Sequence, residues 1–201
     1  MSFLDKLFHG KKNNPRSKKE SEKSPYMPAA RLPLDEKFTL NFRKNGGKFL
    51  YCDSPEEVHL HFASILSENK WQGTKILSYN TALNKRFENF DIEYTDTKDM
   101  FTSAFFSLCE YLVADTGSIL ISSNQIKEEK LTELPDNFIV LATTSQLVAT
   151  IGEGMRGIKH KYKDIPTNIT TIKHFEPQGE IDFLTYGSSS KNLYLLLLED
   201  L

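Results

Sequence analysis

Six residues near the end of the chain, Leu193-Tyr194-Leu195-Leu196-Leu197-Leu198, are apolar without a break. A strand with one face in water alternates apolar and polar side chains. An unbroken run is what a strand covered on both faces carries, and such strands belong to parallel sheets with further layers on either side. Other short apolar stretches fit the same sheet. Lys48 to Cys52, Thr74 to Tyr79, Ile92 to Thr95, Ser118 to Ser122, Phe138 to Ala142 and Ile169 to Ile172 all read as strands, and Ser103 to Leu108 reads as a strand or, on its Phe-Phe pair, as a buried helix. Between them lie segments with helical signals, and strands that alternate with helices at this spacing predict an α/β fold: a layered, mostly parallel sheet with flanking helices.

The helices are marked by their ends. Asp35 to Asn45 carries Phe38, Leu40 and Phe42 and stops at Gly46-Gly47. Asp53-Ser54-Pro55-Glu56-Glu57 combines a capping residue, a first-turn proline and carboxylates at the positive end of a helix. That helix is expected to bury Val58, Phe62, Ile65 and Leu66 and to run to about Asn69. A further helix is expected over Thr81 to Phe90, and Glu110 to Ala114 reads as a brief helical step. Thr144-Ser145 is expected to cap a helix with Leu147, Val148 and Ile151 on one face, disturbed by Gly152, Gly154 and Gly157 and ended by the basic patch Lys159 to Lys163. The spelling Gly152-Glu153-Gly154-Met155-Arg156-Gly157 is not a dinucleotide fingerprint, because it falls late in or after a helix and not between a strand and a helix.

Charge is unevenly spread. The chain carries −2 overall, which argues for no nucleic-acid partner, yet residues 1–31 hold eight Lys/Arg against Asp5, Glu20 and Glu22. Residues 1–31 are therefore expected to be a basic flexible tail and residues 32–201 the folded domain. Within the tail, Phe3, Leu4, Leu7 and Phe8 form a short apolar patch. It reads either as a docking peptide for a partner groove or anionic surface, or as a frayed turn; at this length it is too short to anchor alone, which favours the frayed turn. No apolar run approaches the ~20 residues of a membrane span, and no secretory signal precedes Lys11, so a cytoplasmic location is expected.

The candidate polar centre is Asp115-Thr116-Gly117-Ser118, where a loop enters the apolar strand Ser118 to Ser122. In open α/β sheets ligands bind at strand ends. A carboxylate there suits a base or nucleophile, and Thr116 and Ser118 supply hydroxyls. The competing reading is a plain turn, and on residue chemistry alone it is the better supported. A second loop, Gly187-Ser188-Ser189-Ser190-Lys191, offers amides, hydroxyls and an ammonium to an anion, without a phosphate-loop signature. His59 and His61 lie two apart on a helix and do not chelate one metal easily, so no metal is assigned. Cys52 and Cys109 make neither a disulfide framework nor a cluster site, and Cys109 reads as an inert core thiol.

Ala114-Asp115-Thr116-Gly117-Ser118-Ile119-Leu120-Ile121-Ser122 resembles the Ala-Glu/Asp-Thr-Gly-Thr/Ser strand of the lactate-utilisation (LUD) domain of the LutC/YkgG type. Leu134-Pro135-Asp136-Asn137-Phe138-Ile139-Val140 is similar to its Leu-Pro-x-x-His-Ile-Val segment, and Tyr186-Gly187 with Asn192 to Leu196 to its closing loop and last strand. The resemblance spans about residues 35–200. The Gly-Pro-Ser-Arg loop of that family has no counterpart between Thr170 and Pro177, its Gly-Val-His-Gly-Pro turn is replaced by Tyr186 to Ser190, and its His stands as Phe138.

The resemblance implies a core of the NagB/RpiA/CoA-transferase type. It implies an accessory component of lactate or other organic-acid oxidation, with no cofactor on this chain, iron–sulfur clusters and flavin on partner proteins, and the N-terminal tail as a docking segment. The alternative is a small-anion or carboxylate-binding enzyme. It would hold a small organic acid between Asp115, Thr116, Gly117 and Ser118 on one side and Gly187, Ser188, Ser189 and Lys191 on the other, with Asp115 as the catalytic candidate.

Overall fold

The computed structural model describes residues 32–175 and 191–200. The helices are α1 (Leu34–Lys44), α2 (Pro55–Asn69), α3 (Thr81–Arg86), α4 (Ser123–Ile126) and α5 (Ile151–Lys161). The strands are β1 (Lys48–Cys52), β2 (Thr74–Leu77), β3 (Ile92–Thr95), β4 (Thr102–Leu108), β5 (Tyr111–Val113), β6 (Ser118–Ser122), β7 (Asn137–Thr143), β8 (Leu147–Val148), β9 (Ile169–Ile172) and β10 (Asn192–Leu198). The fold is α/β, and its main sheet has six strands in the order β1-β10-β7-β4-β2-β3, every neighbouring pair parallel.

The unbroken apolar runs take the inner positions. Along β10, Leu193, Leu195 and Leu197 enter one core while Tyr194 and Leu196 enter the other. β7 divides in the same way, Phe138, Val140 and Ala142 against Ile139 and Leu141. The period of two thus serves two buried faces at once. On one face α2 contributes Val58, Phe62, Ile65 and Leu66, the stripe expected of it, and Phe87 follows α3. The start of α2 is fixed locally: the Ser54 hydroxyl accepts from the Glu57 amide at 3.3 Å, and Pro55 sits where no amide is needed.

The opposite face is covered by α1 and by a second sheet. That sheet has four strands in the order β8-β5-β6-β9, with β6 antiparallel to both β5 and β9. Strand Ser118–Ser122 is accordingly fully buried but belongs to the second sheet, not to the main one. Ile119 and Ile121 face the main sheet, and Leu120 faces α5 with Val113 and Ile158.

Two local expectations are corrected. Glu110 to Ala114 is not a helical step. Tyr111, Leu112 and Val113 pair with Leu120, Ile119 and Ser118, and alternation sends Leu112 inward while Tyr111 and Val113 meet α5. Cross-strand pairing outweighs local propensity here. Thr144 does not begin the long helix either: one 3-10 turn, Thr144–Gln146, and strand β8 intervene before α5 starts at Ile151, with the Thr150 hydroxyl accepting from the Glu153 amide at 3.2 Å. The glycines do not interrupt α5. Gly154 and Gly157 let it lie against Tyr111, whose ring occupies the space a side chain at Gly157 would need.

Candidate functional site

The Asp115 step closes the β5–β6 hairpin and is clamped by α1. Asn41 Nδ2 donates to the Ala114 carbonyl at 2.8 Å, Asn45 Nδ2 donates to the Thr116 carbonyl at 2.7 Å, and Lys37 pairs with the Asp115 carboxylate. Gly117 has φ +61°, and the α1 backbone at Asn41 and Phe42 stands where a β-carbon would be. Both observations require glycine. The Asp115 side chain is 41% exposed. Thr116 and Ser118 are hydrogen-bonded to each other at 2.6 Å and line a cavity of about 560 Å³ with Thr171 and His174; Asp115 is not in its wall.

Lys191 is used differently from the expectation. It is 2% exposed, and its ammonium donates to the carbonyls of Leu134 at 3.1 Å and Pro135 at 3.0 Å, with Asp136 at 3.4 Å. Burial pushes its pKa down, and Asp136 offsets this in part. It therefore seals the turn at the amino ends of β7 and β10. Gly187, Ser188 and Ser189 lie outside the described residues.

The topology places a crevice elsewhere. From β2 the chain proceeds to the sheet edge at β3, whereas from β4 it proceeds the other way, to β7 and β10. The switch point lies between β2 and β4, where ligands of open α/β sheets bind at the carboxyl ends of the strands. A cavity of about 430 Å³ opens there. Its wall includes Asn80 after β2, Arg86 from α3, Cys109 after β4, Gln125 from α4, Gln146 after β7 and Lys161 at the end of α5. Two cations and several amides thus converge. Arg86 makes no ion pair among the described residues, so its planar donor fork is open to a carboxylate.

Behind this wall lies Glu110, whose side chain has no exposure. Its carboxylate accepts from Ser122 Oγ at 2.7 Å, Gln125 Nε2 at 3.0 Å, Tyr162 Oη at 3.0 Å and Lys161 Nζ at 3.2 Å. Burial works against its charge, but the bonds from Ser122 and Gln125 and the Lys161 charge outweigh it and hold the group below the usual carboxylate range. Glu110 thereby ties down four residues of the crevice wall, Asn124, Gln125, Lys161 and Tyr162. Gln146 ties the ends of two strands together, donating to the Cys109 carbonyl at 2.7 Å while its own carbonyl accepts from Thr143 at 2.8 Å. Burial, reinforced by Glu110, drives the Cys109 thiol far up, which leaves it a poor nucleophile. No group of ligating side chains suited to a metal is present among the described residues.

These residues were not singled out as a site from the sequence. Asn80, Arg86, Glu110, Gln125 and Lys161 come from five segments, and only the sheet order unites them. One usable signal existed: a lone carboxylate, Glu110, two residues past the end of the apolar strand Thr102–Leu108.

A family model described as the LUD domain matches residues 36–198. The crystal structure of a DUF162-family protein from Deinococcus radiodurans superposes with a TM-score of 0.62 at 14% identity, over 86% of this chain and 100% of that one, a likeness of fold. No curated protein matches.

Proposed function

The chain belongs to the LUD-domain family, and on that premise we propose that it binds a small organic carboxylate of the lactate type in the switch-point crevice, as an accessory component of organic-acid oxidation. The observation that carries this reading is Arg86, without an ion pair among the described residues, in the wall of the same cavity as Lys161, with the side-chain amides of Asn80, Asn124 and Gln125 around them. Arg86 and Lys161 against the single Glu110 carboxylate leave a net positive charge at the rim, which favours an anion, and a guanidinium holds a carboxylate with two parallel bonds. Neutral amides beside them fit the hydroxyl of a hydroxy acid. The pocket is open to solvent and small, as a small acid requires.

Under this reading the chain presents or senses the acid, and the redox chemistry belongs to partner chains that carry iron–sulfur clusters and flavin. The basic tail, residues 1–31, is the segment proposed to dock to them.

The test is a calorimetric titration of L-lactate into the wild type, Arg86→Met and Lys161→Met. Loss of about tenfold or more in affinity in each variant supports the reading. Equal affinity in all three overturns it. For the partner arm, the full chain and one lacking residues 1–31 are purified from the native host and assayed for non-haem iron and flavin. Absence of both from the full-chain preparation removes the accessory role.

A further inference from the structure

We infer that the carboxyl ends of β2 and β3 hold a second subsite, built to accept hydrogen bonds from a neutral, hydroxyl-rich group such as a polyol or sugar moiety. A cavity of about 400 Å³ lies there, lined by Ser78, Tyr79, Thr81, Asn84, Tyr94, Thr95, Asp96 and Lys127, and so stands beside the crevice of Arg86 and Lys161. Segments 78–81 and 124–127 contribute to the walls of both.

Two buried polar atoms of residues in this wall have no partner among the described residues. Ser78 is 3% exposed and its hydroxyl is unbonded, and the Asn84 side-chain carbonyl is likewise buried and unbonded. Most buried polar atoms are satisfied, and an unsatisfied pair in one cavity wall points to an absent partner. Their positions are fixed by the fold. The Ser78 amide donates to the Thr95 carbonyl at 2.9 Å, extending the β2–β3 ladder, and Asn84 rides on α3. The Thr95 hydroxyl is already engaged, donating to the Thr97 carbonyl at 2.9 Å.

The chemistry of the wall selects the ligand class. Asn84 Oδ1 and the Asp96 carboxylate only accept, and Ser78 accepts or donates. The ligand must therefore bring donors. An anion is disfavoured by Asp96, which adds to burial and to Glu129 in pushing the Tyr79 phenol pKa up. A cation meets Lys127, whose ammonium already lies 4.0 Å from the Tyr79 ring centre. A neutral group with several hydroxyls meets neither obstacle, and the flat faces of Tyr79 and Tyr94 suit the carbon side of such a group.

This subsite adds to the carboxylate reading without resting on it, and two titrations of the labelled full chain keep them apart. Xylitol, a neutral pentitol, is titrated against amide NMR signals, and L-lactate is titrated in parallel. The expected result is shifts at Ser78, Tyr79, Asn84, Thr95 and Asp96 with xylitol. Binding should weaken about tenfold in Asp96→Asn, an exposed position where folding is not at stake, and in Asn84→Leu. Absence of these shifts, equal shifts in both variants, or a response to ethylammonium in place of xylitol overturns the inference. Lactate shifts around Arg86 and Lys161 decide the other reading alone.

Discussion

The Lys161 ammonium lies 3.2 Å from the Glu110 carboxylate, which has no solvent exposure while Lys161 is half exposed. The buried partner therefore sets the position of the exposed one. Glu110→Leu leaves the donors of Gln125 and Tyr162 without an acceptor, while Ser122 keeps the Gln125 carbonyl at 3.0 Å. It is expected to cost about 2–3 kcal/mol in urea unfolding, less than a wholly buried pair because Lys161 can turn to water. Glu110→Gln keeps the shape and part of the bonding and is expected to cost about 1 kcal/mol. Lactate affinity should fall in both variants even though Glu110 does not line the crevice.

The same carboxylate makes the fold sensitive to acid. The folded pKa of Glu110 lies below its ordinary value, so the unfolded chain takes up the proton first as pH falls. Its contribution is complete above the unfolded value of about 4.3 and is lost as pH drops through the folded one. Asp200 behaves alike. Desolvation works against its charge, but the hydrogen bonds from Ser145 and Thr144 together outweigh it and hold the group down to about 2. Melting temperatures measured from pH 7 to pH 2 should fall mainly below about pH 4, and Glu110→Gln and Asp200→Asn should flatten that fall.

Gly117 is where the hairpin and α1 meet. A left-handed backbone alone costs a side-chain-bearing residue about 1–2 kcal/mol. Here the β-carbon of Gly117→Ala also strikes the α1 backbone at Asn41 and Phe42. The variant is expected to lose more than the backbone term, with weakened hydrogen-exchange protection in α1 and at the β5–β6 turn. Gly73, also at positive φ but with nothing nearer to a β-carbon than the Asp91 carboxylate at 4.0 Å, is the control: Gly73→Ala should lose the backbone term only.

Both thiols are buried, and burial pushes each upward, Cys52 to about 12 with help from Glu57 and Asp53, and Cys109 further. Neither should react with a disulfide reagent at pH 8 in the native protein. Both should react once urea unfolds the chain. A fast native reaction at Cys109 would show that the crevice opens to its thiol.

Local signals in the sequence carried the fold. Ser54-Pro55 fixes a helix start within four residues, and Leu193 to Leu198 declares a doubly covered strand, so both are legible where they stand. Tyr111–Val113 was not, because its three residues become a strand only by pairing with Ile119 and its neighbours. Nor was the true start of α5: Thr144 and Thr150 both offer a capping hydroxyl, and the choice is made by β8 lying beside β5. The site was least legible of all. Asp115 and Lys191 stand out in one dimension, yet α1 claims the first and the Leu134–Asp136 turn claims the second. Arg86 and Lys161 look like ordinary helix-end charges until the sheet order brings them to one crevice.

That contrast gives a paired substitution. Lys191→Met removes an ammonium that holds two backbone carbonyls in a buried turn, so the Leu134 and Pro135 oxygens lose their donor. The expected cost is about 1–3 kcal/mol, partly offset because the buried charge is itself costly. Lactate affinity should not change, since the side chain seals the amino ends of β7 and β10 while the crevice lies at the carboxyl ends. Arg86→Met is the reverse case. An exposed side chain at the end of α3 carries little stability, and surface substitutions stay within about 0.5 kcal/mol. Its removal should leave the unfolding midpoint in place and weaken lactate binding. Calorimetry and urea unfolding on the two variants separate a structural lysine from a binding arginine. If Lys191→Met alone abolished lactate binding, the anion site would move to the opposite end of the sheet.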